Sequence, residues 1–74
     1  MKEVAIRTEF ITLGQFLKLA DCISTGGQAK FFLQETNISV NGISEQRRGR
    51  KLFHGDHIRV EGFGDFRIVR SDKD

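Results

Sequence analysis

The chain has 74 residues, 38% hydrophobic and 30% charged, with 12 Lys and Arg against 10 Asp and Glu for a net charge of +2. That length allows one small domain, spanning 1–74, with a single thin core and a surface site, and it excludes a deep enzyme cleft. Ile, Leu, Val and Phe supply 23 residues, well above the roughly one-fifth below which a charged chain stays disordered.

Val4, Ile6, Thr8 and Phe10 alternate with more polar neighbours, which predicts one half-buried strand. Thr12 with Gln15 three residues on has the spacing of a capping box. Leu13, Phe16, Leu17, Ala20 and Ile23 then recur at helical spacing, predicting a first helix of about 11 residues. Ser24-Thr25-Gly26-Gly27 interrupts it, and Thr25 with Gln28 repeats the capping-box spacing for a second helix to about Glu35, burying Ala29, Phe32 and Leu33. Phe31, adjacent to Phe32, is expected on a partly buried flank, since one narrow helix face does not hold both. The short connection predicts an αα-hairpin.

The second half changes period. Asn41-Gly42 between Ile38-Ser39-Val40 and Ile43 is the strongest local signal for a two-residue hairpin turn. A polar loop from Ser44 to Lys51 follows, then a strand at His57–Glu61 and another at Phe66–Val69, after the turn Gly62-Phe63-Gly64-Asp65, with Ser71–Asp74 a frayed tail. The expected class is α+β: a two-helix hairpin packed on a small, mainly antiparallel sheet of four to five short strands.

Charge is unevenly placed. Residues 1–46 sum to −1, residues 47–60 to +4 and residues 61–74 to −1. Arg47-Arg48-Gly49-Arg50-Lys51 sets four cations in five positions, a pattern that rewards clustered phosphates through bidentate hydrogen bonds and counterion release. Such like charges repel one another and are expected to add nothing to folding. Gly26 and Gly27 open the second helix, where free amides attract an anion, with Gln28 and Lys30 close by. A capped αα-corner explains the same glycines. Asn41 is first a turn residue and second a hydrogen-bonding group for a base or a ribose hydroxyl. The lack of Trp and Tyr argues against a base-stacking platform.

Lone Cys22 forms no internal disulfide and no Cys-based zinc site; it reads as a small core residue. His54 and His57 straddle a turn without further ligands nearby, so no metal site is expected. No nucleophile sits beside a base and the carboxylates are scattered, so no enzymatic activity is expected. The longest uninterrupted apolar runs, Val4-Ala5-Ile6 and Phe31-Phe32-Leu33, are too short for a signal-peptide core or a membrane span. The expectation is a soluble, cytoplasmic chain with no membrane partner, small-molecule substrate or cofactor.

Leu13-Gly14-Gln15-Phe16-Leu17-Lys18, Gly26-Gly27-Gln28-Ala29-Lys30, Ser39-Val40-Asn41-Gly42, and Leu52 with Gly55-Asp56-His57-Ile58, taken in order, resemble the S4 domain, an RNA-binding module. The resemblance covers residues 11–62. Ile11 to Asp21 and Arg47 to Leu52 are most similar to the stand-alone bacterial YaaA type of S4-domain protein. It implies two helices and a β-hairpin forming an L-shaped surface that grips structured RNA without catalysis, and ribosomal RNA is the expected partner. Many S4 domains have Arg-Leu-Asp where this chain has Thr12-Leu13-Gly14, and Arg after the inter-helix serine where this chain has glycine. Two cationic contacts are thereby missing, which shifts the expected RNA contacts to Lys30 and residues 47–51. The full expected set is Gly26, Gly27, Gln28, Lys30, Asn41, Arg47, Arg48, Arg50 and Lys51, in a protein expected to be monomeric and to serve ribosome assembly or translation. A protein-interaction module with a basic loop and a duplex-DNA binder are the alternatives. The latter is weakened by the few polar residues on 26–36.

Overall fold

Strand β1 (Lys2–Ile6) turns Val4 and Ile6 toward the interior in the computed structural model, which describes residues 1–71. The expected single strand breaks at Arg7-Thr8-Glu9, where the Thr8 hydroxyl donates to the carbonyl of Phe10 at 2.8 Å. The chain resumes as β2 (Phe10–Thr12) in a different sheet. This bend shifts the phase, so that Ile11 is buried and Phe10 lies on the outer side.

The capping box at Thr12 forms: its hydroxyl accepts from the Gln15 amide at 3.2 Å, and Gln15 Oε1 accepts from the Thr12 amide at 2.9 Å. Helix α1 (Leu13–Leu19) buries Leu13, Phe16 and Leu17. It stops short of the expected length because Asp21 adopts a left-handed φ of 64°. The Asp21 amide donates to Lys18 O and the Cys22 amide to Leu17 O, a Schellman ending in which a short polar residue takes the usual place of glycine. Ile23 is buried from the following loop, which is why its helical spacing misled. Cys22 packs against the core, and burial pushes its thiol pKa up.

A 3-10 turn (Gly26–Gln28) leads into α2 (Ala29–Glu35). Ala29 and Leu33 are buried and Phe32 is half-buried, its ring 5.8 Å from that of Phe63. Phe31, by contrast, is 65% exposed: the helix side facing the core is fully used by Ala29, Leu33 and Phe32.

Strands β3 (Ile38–Val40) and β4 (Ile43–Ser44) form the expected hairpin, with Asn41 at φ 53° and Gly42 at φ 85°. Two successive left-handed residues give the turn whose twist matches its strands. Strand β5 (Lys51–Phe53), inside and just after the expected polar loop, pairs antiparallel with β2. Strands β6 (His57–Val60) and β7 (Gly64–Arg70) complete a five-stranded sheet of order β1-β7-β6-β3-β4, antiparallel except for the parallel pair of β1 and β7. Of the tail expected at Ser71–Asp74, Ser71 is instead tied to β1, its amide donating to Ile6 O at 2.8 Å, and the remainder lies outside the described residues.

The fold is therefore α+β, a two-helix unit on a small, mainly antiparallel sheet with a second two-stranded ribbon. Phe16 of α1 meets Phe66 of β7 edge to face at 5.3 Å, among Leu13, Leu17, Leu52, Ile58 and Ile68. Complete burial of each such side chain stabilises by about 1.5–3 kcal/mol, and together they fix α1 and the β2–β5 ribbon on the sheet.

Candidate nucleic-acid interface

Residues 45–50 join β4 to β5 across the start of α1. The first amides of a helix lack intrahelical acceptors, and here the loop supplies them: Leu13 N–H donates to Arg50 O at 2.8 Å and Gly14 N–H to Arg48 O at 2.9 Å. The basic segment is thus docked on the helix by its backbone.

Beneath it Glu45 is only 8% exposed. Its carboxylate accepts from the amides of Gln46 and Arg47, from Arg47 Nε and Nη2, and from Arg50 Nη1, all at 3.0–3.1 Å. The Arg47 guanidinium, helped by the Arg47 amide and Arg50, holds its pKa down at about 2. This corrects the expectation that the four cations add nothing to folding: two of them neutralise a buried carboxylate and close the loop. The signal was present in Glu45-x-Arg47, but a lone acid before a basic run reads equally as a solvated residue.

Arg48 is exposed, and its side chain has no ion pair or hydrogen bond among the described residues. With Gly49 it forms one wall of a shallow groove of about 370 Å³. Gln15 and Lys18 of α1 line it too, Gly26 and Ala29 belong to the inter-helix corner, and Thr12 and Gly14 lie at the loop–helix junction. Gly26 and Arg48, 22 positions apart, therefore share one depression. Gln15 and Lys18 were not singled out as site residues, although the Thr12-Gln15-Lys18 spacing of three sets all of them along one side of α1.

The other expected residues lie elsewhere. Gly27 and Lys30 are exposed but do not line the groove. Gln28 is exposed and turns its amide oxygen back onto the preceding loop, accepting from the Ser24 and Thr25 amides at 2.7 and 2.9 Å. Asn41 spends its side chain on the fold, donating to Asp56 Oδ1 at 3.1 Å and accepting from the His57 amide at 3.0 Å. Lys51 places its ammonium 4.8 Å from the centre of the Phe10 ring. His54 Nδ1 accepts from the Arg70 amide, and His57 Nε2 lies 3.2 Å from Asp65. No group of three metal-ligating side chains occurs among the described residues, and no helix there is long and apolar enough to cross a membrane.

A two-helix corner closed by a basic loop and set on a small sheet gathers exposed cations around one shallow groove, a surface suited to a polyanion. Residues 4–69 match the family model of the S4 domain, and the chain belongs to that family of non-catalytic RNA-binding modules. It is 58% identical over 66 residues, 89% of this chain and 93% of the relative, to the probable ribosome maturation protein RlbA of Bacillus subtilis (strain 168).

Proposed function

We propose that the protein binds structured ribosomal RNA along the α1–loop groove and serves ribosome maturation. The observation that carries this reading is Arg48, exposed and without a side-chain partner among the described residues, beside Lys18 and Gly26 on one concave surface. The ribosome-maturation relative supports the ribosomal partner. Docking is electrostatic: Arg48, Lys18, Lys30 and Lys51 meet phosphates, exposed Arg47 meets phosphate while still paired to Glu45, and Arg50 orients the loop. Gly26 and Gly27 allow close backbone approach, with Gln28 and Asn41 as marginal polar contacts. In this reading residues 1–74 act as one S4-like unit of the stand-alone bacterial YaaA type. The protein works as a cytoplasmic monomer without cofactor, membrane partner or small-molecule substrate.

The test is fluorescence anisotropy with ribosomal RNA fragments and matched duplex DNA at several salt concentrations. Four to five phosphate contacts predict a log K against log salt slope of about −3 to −4.5, with folded RNA preferred. Equal affinity for DNA overturns the RNA preference, and absent binding to both redirects the basic loop to an acidic protein surface.

A further inference from the structure

Strands β2 and β5 make a two-stranded ribbon whose inner side, Ile11 and Leu52, is buried. Its outer side carries Phe10 opposite Phe53 and Thr12 opposite Lys51. The two rings lie 5.7 Å apart at 47°, and Phe53 is 43% exposed. Lys51 already sits on the Phe10 ring, which leaves Phe53 as the ring open to a flat partner.

This aromatic pair is continuous with the groove: Thr12 lines the groove and pairs with Lys51 in the ribbon. A nucleic acid strand held at Arg48 and leaving past Thr12 meets first the Lys51 ammonium and then the Phe53 ring. A cation followed by an exposed aromatic is the arrangement that holds a phosphate and stacks the adjoining base. Bases within a duplex are stacked on their neighbours, so only an unpaired nucleotide has a face to offer.

We infer that the outer side of the β2–β5 ribbon is a second RNA subsite, at which Phe53 stacks one unpaired nucleobase while Lys51 holds its phosphate. The inference rests on the RNA-binding reading above and adds a single-stranded element to it. It departs from the expectation, drawn from the lack of Trp and Tyr, that the protein has no base-stacking platform.

The experiment compares the wild-type protein with Phe53→Leu and Phe53→Trp for binding to purified ribosomal RNA fragments across a salt series, with thermal melts to verify folding. Short-wavelength ultraviolet crosslinking and peptide mass spectrometry on the wild type complete it. Leu keeps the apolar bulk and removes the ring. It is expected to weaken binding roughly 5- to 100-fold with the salt slope unchanged, because stacking is not electrostatic. Trp retains wild-type affinity, and the crosslinked peptide carries Phe53. Wild-type affinity in Phe53→Leu, or a loss expressed as a shallower slope, overturns the stacking subsite while leaving the groove intact. A wild-type protein that ignores ribosomal RNA overturns the groove and the subsite together.

Discussion

The amide of Gly14 donates to the carbonyl of Arg48 at 2.9 Å, so the first turn of α1 is tied directly to an exposed arginine of the basic loop. A Cβ added at Gly14 would meet Arg48 Cβ and O at 3.5 Å and Ala29 Cβ at 3.7 Å, which is ordinary van der Waals contact. Gly14→Ala keeps the amide and gains helix propensity. It is expected to stabilise by about 0.5–1 kcal/mol, a rise of several degrees in Tm by calorimetry, with the loop still in place.

Removing the charge beneath the loop has the opposite effect. Glu45 is held at about 2 by Arg47 and Arg50, below the usual carboxylate value near 4.3 in an unfolded chain. A depressed native pKa contributes stability that is complete above the unfolded value and is lost as pH falls toward about 2. Because Arg47 is exposed, the contribution is discounted for solvent screening to about 1–2 kcal/mol. Urea denaturation should show Glu45→Gln less stable by that amount at pH 7, with the difference from wild type shrinking between pH 4.5 and 2.

Arg48 and Arg50 separate binding from folding. Arg48→Gln removes a cation that has no side-chain partner among the described residues and is expected to lower the salt slope for RNA by about 0.7–0.9 without moving the melting temperature. Arg50→Glu sets a second carboxylate against Glu45, 3.0 Å from the present guanidinium nitrogen. It is expected to lower the melting temperature as well as binding, so reversal of both arginines together is not a clean probe of RNA contact.

Asn41 combines a left-handed φ of 53° with side-chain bonds to Asp56 and to the His57 amide. Asn41→Ala loses both bonds and strains the turn, for an expected cost of about 1–2 kcal/mol in denaturation midpoints. Asn41→Gly relieves the strain alone and is expected to fall between the two.

Features written in a few consecutive residues were legible in the sequence. Both capping-box spacings, the Asn41-Gly42 turn and the apolar side of α1 are local, and short-range geometry decides them. The break at Arg7–Glu9 was not legible, because Val4 to Phe10 keeps a perfect alternation and only pairing with distant β5 reveals the phase change. Strand β5 starts on the last residue of the charged run and has only three residues, of which Lys51 and Phe53 are exposed and Leu52 alone is buried, too short a pattern to read as a strand. The cations at 47–51 were legible as a cluster, but not their division of labour. That depends on Glu45 being under the loop and on the arrival of Gln15 and Lys18 from α1.

The parallel pairing of β1 with β7 sets Lys2 opposite Phe66, 64 positions along the chain. Closing so long a loop costs on the order of 4 kcal/mol in chain entropy before any contact rewards it. Synthesised from its amino end, the protein must therefore leave β1 waiting while the helices and the β3–β4 hairpin form from nearby residues. Completion of the sheet is a late event, and until it happens the edge of β7 that β1 will occupy is open to any other extended strand.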